Sequence, residues 1–534
     1  MKRELRSVKA RAFTSDIRTP LPVSLITAAI AGLVLSLAFP KYGLWPLVIL
    51  GTGLMFWSIR GRSISGSFFV GLIGGFSFWG THIFWLTIYL GPIPWLALAG
   101  LQTLFFAIGT VLIGLAWKFV PRVWPSTFGQ LWMLPLLLAA IWTLREAVTS
   151  VWPYGGFSWG RLAFSQSDSP ISGVVAWIGI TGLSFVIAWI SAFATQIVRL
   201  WRRFAGVGTL ALVAVSALLA VIPPFQSPVV GSLTVAAVQG NSDAGLFAQR
   251  FPGETLNEHL AQTIKLFDRK IDLLVWPENA SDLNPLKYPQ AAEALDYVTK
   301  QLNAPLVTGT ITGNAKGETF NSLLLWEPGK GAVAQYDKIH PVPFAEYLPD
   351  RSFWYPFAPK LFDMVPRDYT IGTRSNVFDI NNVPAGLAIC FDIVDDSLIK
   401  QMINSGAEII LAPTNNADFG HTDENVQQLA IARLRAIETD RYLVQVSTVG
   451  VSAVVAPDGR IVDSLPIYTA GSMVDKVSLH RSVTVAMVLS PYTGFTIGGF
   501  AIAELILVLL VLTRRRNRMS SLAGKSAQPR TGES

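Results

Sequence analysis

Charge is scarce in this chain of 534 residues: 14% are Asp, Glu, Lys or Arg, against about 25% in an ordinary soluble protein. Acid is scarcest of all in one region. Residues 19–230 contain only Glu146 and Asp168, whereas 31 of the 35 acidic residues lie from 231 onward. Cysteine is almost missing. Cys390 stands alone, so no internal disulfide can form and the first apolar segment has no lipoprotein-type cleavage site. The five histidines (82, 259, 340, 421 and 480) contain no His-x3-His pair. With one thiol besides, the chain offers no metal site and calls for no cofactor. The glycines at 71–75 lie inside an apolar run with no Lys-Ser/Thr after them, which excludes a phosphate loop. No internal repeat is present, and no low-complexity tract precedes the polar tail 517–534. These absences exclude a disordered, collagen-like or polar repeat protein and argue against a purely soluble enzyme.

What the chain has instead is apolar bulk: 51% hydrophobic residues, 17 Trp and 31 Phe. A membrane-spanning helix needs about 20 mostly apolar residues. Eight runs qualify, near 21–38, 44–59, 66–90, 93–117, 128–150, 171–197, 204–222 and 491–513. The first is read as a retained helix, because Phe39-Pro40 and further spans follow it at once. Lys and Arg outnumber Asp and Glu by 42 to 35, a net charge of +7. The excess sits at the ends of the runs, so it reads as membrane orientation and not as a nucleic-acid surface. The N-terminal tail, the loops after runs two, four and six, and the C-terminal tail are basic; the alternate loops are not. Eight spans with both termini inside fit every loop, and they put residues 223–490 outside the cytoplasm. The expected division is a membrane domain of about seven helices at 1–222, an extracytoplasmic domain at 223–490, a C-terminal membrane helix at 491–513 and a basic cytoplasmic tail at 514–534.

The linker Ile222-Pro223-Pro224-Phe225-Gln226-Ser227-Pro228 opens the water-soluble part. Strand-like runs follow at 233–238, 272–276, 305–311, 321–326, 384–389, 408–412, 442–447 and 452–456. Helical patterns at 254–269, 290–302, 394–405 and 422–438 alternate with them, which predicts an α/β domain.

Three positions could carry chemistry. Cys390 follows the strand PAGLAI and precedes a helix, whose N-terminus would favour a thiolate; a buried structural cysteine is the plainer reading. Glu278 ends the strand in LLVWPEN, where desolvation suits a general base, or it is a surface glutamate at a strand end. Lys338, in YDKIHPVPFAEYLP, is placed to hold an oxyanion, or is an ordinary solvated lysine. A Cys-His dyad with His340 or His421 is the rival arrangement. Residues 351–364 (RSFWYPFAPKLFDM) put aromatics in a Pro-broken segment, read as a mobile lid touching the bilayer or as a packed loop.

In order, VWPEN, YDKIHPVPFAEYLP and GLAICFD resemble the Glu-Lys-Cys motifs of the nitrilase (carbon–nitrogen hydrolase) superfamily, and 412–420 and 433–441 resemble two further motifs of that group. With the membrane part, Arg145-Glu146, Gly156-Phe157-Ser158-Trp159 and VQGN at 238–241, the whole chain resembles the bacterial apolipoprotein N-acyltransferase family. The resemblance implies a polytopic helical membrane domain joined to an αββα sandwich. Glu278 would be the base, Lys338 the oxyanion stabiliser and Cys390 the nucleophile, with Glu346, Phe391 and Asp392 in support. It implies a phospholipid acyl donor, a diacylated apolipoprotein acceptor and a place in the bacterial inner membrane. Phe247, Asn415, Trp354 and Phe357 are the expected substrate contacts. The sequence departs from the family pattern at Phe391-Asp392 (usually Tyr-Glu), at Asp418, at Gln428 (commonly His) and after VQGN, where Phe247 and Ala248 are nearest to an expected Trp. A membrane-tethered amidase acting on a small amide is the alternative, because water and an amine attack the same thioester; a non-catalytic transporter or scaffold is the third.

Overall fold

The computed structural model describes residues 19–242, 245, 248–365 and 368–526. The N-terminal half is helical: α1 (Leu21–Leu37), α2 (Leu47–Ile59), α3 (Ile64–His82), α4 (Pro92–Val123), α5 (Leu134–Thr149), α6 (Val175–Arg199) and α7 (Trp201–Ala220). Among the described residues, six helical stretches are long and apolar enough to cross a membrane, the last being Val485–Val511; α1 and α2 are shorter apolar helices. All eight coincide with the apolar runs of the sequence. Close approach explains the small residues in the bundle. A Cβ on Gly32 would fall 2.4 Å from the Gly74 carbonyl oxygen, and one on Gly71 would fall 2.0 Å from Thr110 Oγ1.

The third run is not one helix. α3 stops at His82, and a 3-10 turn at Phe84–Leu86 and a short helix at Thr87–Leu90 follow. The break lets Trp85 leave the bundle and donate its indole N–H to Gln427 of the α/β domain at 3.0 Å.

The α/β domain holds two six-stranded sheets. Strands β1 (Val229–Gln239), β2 (Leu273–Val275), β3 (Leu306–Gly313), β4 (Thr319–Glu327) and β5 (Gly331–Asp337) belong to the first. Strands β6 (Val377–Ile380), β7 (Val383–Leu387), β8 (Ile409–Thr414), β9 (Leu443–Ser447), β10 (Ser452–Val455) and β11 (Ile461–Leu465) make the second. β12 (Gly471–His480) returns to the first, giving orders β12-β1-β2-β3-β4-β5 and β11-β10-β9-β8-β7-β6. The centre of each sheet is parallel (β1-β2-β3 and β7-β8-β9) and the flanks are antiparallel. Leu233, Val275, Leu325, Leu387, Leu411 and Val446 are among the side chains packed between the sheets.

Helices α8 (Glu254–Thr263) and α9 (Pro289–Leu302) cover the first sheet. α10 (Asp396–Asn404) and α11 (Glu424–Thr439) cover the second, and their apolar residues belong to one continuous core with the membrane helices. The sandwich is therefore αββα, with its inner helical layer shared with the bundle. α12 (Val485–Ser526) leaves the sandwich directly and packs beside α5 and α6. It begins before the apolar run at 491, because Thr484 caps it by accepting from the Met487 N–H at 3.2 Å.

Candidate active site

Glu278, Lys338 and Cys390 each stand just beyond the end of a strand. Glu278 follows β2 across Trp276-Pro277, Lys338 follows β5, and Cys390 opens a 3-10 turn, Cys390–Val394, after β7. The structure brings them together. Lys338 Nζ lies 2.8 Å from Glu346 Oε2 and 3.6 Å from Glu278 Oε1. All three groups are buried, with Lys338 only 2% exposed. Burial alone would lower the pKa of this ammonium, but the Glu346 and Glu278 carboxylates outweigh it and hold the pKa well above the usual lysine range. Lys338 therefore stays a cation at any working pH.

Asn321, inside β4, fixes both carboxylates: its Nδ2 donates to Glu278 Oε1 at 2.6 Å and to Glu346 Oε1 at 3.1 Å. Glu346 also accepts the Val342 backbone N–H at 2.7 Å. Local pattern does not single out Asn321, although a polar residue at the start of the apolar run NSLLLW is a usable signal.

Cys390 is half-buried and adopts φ of 50°, in the left-handed region. For a residue with a Cβ that costs on the order of 1–3 kcal/mol and persists only where neighbours enforce it. Asp392 does so. Its carboxylate accepts from Tyr336 Oη at 2.8 Å and from the backbone N–H groups of Ile389 and His340 at 3.1 and 3.3 Å. Phe391, the other expected supporting residue, stacks on Phe157 and Trp159 with ring centroids 6.0 and 6.1 Å apart and planes within 10°. Those two rings come from the loop after α5, so the turn carrying the cysteine leans on the membrane domain.

One expectation is corrected. The helix N-terminus does not prepare a thiolate. α10 starts only at Asp396, and its first turn is capped by Asp395, whose carboxylate accepts the Leu398 N–H at 2.8 Å. Burial and the nearby Glu278 charge instead push the Cys390 thiol well up, with Lys338 opposing them. The resting sulfur is a neutral thiol and needs a base. The rival dyad also fails in geometry: His340 Nε2 is paired with Asp395 Oδ2 at 3.0 Å, and His421 stacks on Tyr468.

The expected substrate contacts are dispersed. Asn415 is built into its own loop, where Oδ1 accepts from Thr448 Oγ1 at 2.7 Å. Trp354 donates to Tyr154 Oη at 3.0 Å, and Phe357 is 72% exposed in a segment of short helical turns. Phe247 lies outside the described residues. Among the described residues no group of three His, Cys, Asp or Glu side chains could hold a metal.

A family model described as the apolipoprotein N-acyltransferase N-terminal domain matches residues 31–193, and one described as carbon-nitrogen hydrolase matches 234–485. An apolipoprotein N-acyltransferase of Mycolicibacterium smegmatis is 31% identical, over 92% of this chain and 86% of that protein. The chain belongs to the apolipoprotein N-acyltransferase family. Family members from Shewanella oneidensis (28% identical, 89% of this chain and 93% of that protein) and Photobacterium profundum (25%, 92% and 96%) match over similar lengths. Among solved structures, Saccharomyces cerevisiae Nit3, of the nitrilase superfamily, covers 50% of this chain and 96% of its own at 15% identity and a TM-score of 0.38. The family match extends through the membrane helices, which a membrane-tethered amidase would not require. Like the family it joins, the chain is a membrane protein.

Proposed function

We propose that this protein is an apolipoprotein N-acyltransferase that moves a fatty acyl chain from a phospholipid, through a thioester on Cys390, to the free α-amine of a diacylglyceryl-cysteine. The observation that carries the reading is a buried Glu278–Lys338–Glu346 cluster beside Cys390, whose φ is 50° and whose turn stacks on a membrane-domain loop.

In the first half-reaction Glu278 takes the Cys390 proton and the sulfur attacks the ester carbonyl carbon. The Lys338 ammonium stabilises the oxyanion. The carbon–oxygen bond breaks, the proton on Glu278 goes to the departing alkoxide, and a lysophospholipid leaves. In the second half the acceptor amine attacks the thioester, Glu278 receives its proton, the carbon–sulfur bond breaks and the sulfur is reprotonated. Glu346, held by Asn321 and the Val342 N–H, keeps Lys338 in place throughout. Asp392 and Phe391 position the cysteine turn.

The membrane supplies the substrates. Burial of acyl chains is worth about 0.8 kcal/mol per CH₂, so drawing a 16-carbon chain into water would cost on the order of 12 kcal/mol. A site resting on the bundle avoids that cost. We place the domains as the charge pattern does: eight spans in the bacterial inner membrane, both termini cytoplasmic and the sandwich outside. The segment 351–364, with Trp354 and Phe357, is the proposed lid over the acyl chains, and Phe247 and Asn415 the proposed inner contacts.

The test is a transfer assay with a diacylated lipopeptide and defined phospholipids. Wild type should yield N-acylated peptide and one lysophospholipid per turnover, and Cys390→Ser neither. Transfer by Cys390→Ser would refute the reading.

A further inference from the structure

A cavity of about 500 Å³ lies where the ends of α1, α3 and α4 that face the sandwich meet the start of α11, and Cys390 does not line it. Its size falls within the range of small-molecule sites, about 300–1,000 Å³. One side is apolar and open. Leu33, Phe76 and Phe84 line it and are 49, 41 and 59% exposed. Trp95 packs on Phe76 and Phe84, with ring centroids 5.9 and 5.6 Å apart, and its indole N–H donates to the Gly80 carbonyl at 2.9 Å, so α3 and α4 stay joined at this point. The other side carries charge of both signs. Lys41 Nζ, in the loop after α1, lies 3.4 Å from Asp423 Oδ1, and both side chains reach solvent.

We propose that this cavity holds one zwitterionic phospholipid, of the phosphatidylethanolamine class, which is bound and not consumed. Its phosphate takes Lys41, its ammonium takes Asp423, and an acyl chain runs out past Leu33, Phe76 and Phe84 into the hydrocarbon. The inference rests on the proposed placement of these helices across the membrane and goes beyond the proposed reaction. The occupant follows from charge. A cation and an anion side by side match a head group that carries both signs a short link apart. A purely anionic lipid would satisfy Lys41 and bring nothing to Asp423. An exposed ion pair is worth little by itself, so exchanging its partners for those of the lipid costs little. The acyl chain meanwhile stays out of water.

The inner wall shows what such a lipid would cover. His82 and Gln427 line the cavity, and Gln427 Nε2 donates to the His82 carbonyl at 3.2 Å. Gln427 Oε1 accepts from Trp85 and Trp159 at 3.0 and 2.6 Å. These two indoles stand behind Gln427, and Trp159 stacks on Phe391 with ring centroids 6.1 Å apart. The cavity and the Cys390 turn are thus on opposite sides of one hydrogen-bonded hub. A lipid seated against Gln427 keeps water from competing for those bonds, and so steadies the junction of the two domains.

The test uses the full-length protein, stripped of lipid in detergent, and a diether phosphatidylethanolamine, which lacks the ester carbonyl and cannot donate an acyl chain. Retained copies are counted by native mass spectrometry. Thr81 is exposed on the cavity wall and its hydroxyl is spent on the Ser77 carbonyl one turn back, so Thr81→Trp fills the space. Lys41→Glu sets a like charge against the phosphate and carries the test if Thr81→Trp does not fold. Each variant should retain one copy fewer than wild type, with half-occupancy of that copy displaced to about tenfold higher lipid or more. The rise in melting temperature that the lipid gives wild type should shrink with it. Both variants should still take an acyl chain on Cys390 from ester phosphatidylethanolamine. Wild-type counts in folded Thr81→Trp or Lys41→Glu, or equal retention of a diether phosphatidylglycerol, would overturn the inference. Loss of Cys390 acylation together with the copy would also overturn it, by making the cavity the donor's own site. The count needs no chemistry at sulfur, so acyl transfer by Cys390→Ala would refute the nucleophile and leave the count standing.

Discussion

The two helical layers of the sandwich have similar tasks and different surroundings. α9 lies on the first sheet with its other side in water: Tyr297 is exposed, and Asp296 and Lys300 pair at the surface. α11 lies between the second sheet and the membrane helices. It buries Glu424, Gln427, Gln428, Arg435 and Glu438, and each has a partner. Gln427 Oε1 accepts from Trp85 and Trp159 of the membrane domain. Arg435 donates to the carbonyls of Ile393 and Val394, in the turn that begins at Cys390, and pairs with Asp396 and Glu438. Asp396 in turn pairs with Arg161 of the membrane domain at 2.8 Å. A solvent-facing helix spends its polar residues on solubility; this buried one spends them on joining the bundle to the turn that begins at Cys390.

That contrast can be broken most severely at its chemical end. Cys390→Ala should abolish transfer, by on the order of 10³-fold or more, with folding intact by thermal melting. Lys338→Met comes next. It removes the proposed partner of the oxyanion, at about 10²–10³-fold in rate, and leaves Glu278 and Glu346 facing each other without a cation, which thermal melting should register as a large loss. Arg435→Met tests the inner layer itself. It leaves Asp396 with Arg161 alone, takes the cation from Glu438 and the donor from two backbone carbonyls, and should cost about 3–5 kcal/mol in stability, read by denaturation in detergent. Asp296→Asn is its partner in the outer layer, and should cost about 1 kcal/mol or less. Equal losses from these two would erase the comparison.

A smaller effect sharpens it. Beside the Cys390 turn, the hydrogen bond to Asp395 raises the His340 pKa above 6.5, against burial, while Asp395 is held below the usual carboxylate range despite its own burial, by His340. The raised histidine stabilises fully below 6.5, and that stability is lost as pH climbs through the folded value. The depressed carboxylate stabilises above 3.8, and that is lost as pH falls through its folded value. The pair therefore contributes in full between about 3.8 and 6.5. A melting-temperature decline above that window should disappear in His340→Gln.

Much of the fold and of the site is legible in the sequence. The membrane runs, eight strands and four helices follow from local pattern, and the three motifs from their resemblance to the nitrilase superfamily. The four strands that escape it, β5, β6, β11 and β12, are the four sheet edges. Edge strands face water on one side and carry polar residues such as Asp475 and Lys476 in β12, so they do not read as apolar runs. Asn321 escapes for another reason. Its partners Glu278 and Glu346 lie 43 and 25 residues away in sequence and meet it only in the folded chain, which periodicity does not report. The break at His82 escapes likewise, since only docking against Gln427 gives Trp85 a reason to leave its helix.

The central claim is that a neutral, half-buried thiol is activated by Glu278 to hold an acyl chain. Intact mass spectrometry of the purified protein after incubation with a defined phospholipid tests it most directly. The account predicts an increment of one acyl chain on Cys390 in wild type, discharged by a diacylated lipopeptide and absent from Glu278→Gln. An increment of unchanged size and rate in Glu278→Gln, or one carried at any residue other than Cys390, would contradict it.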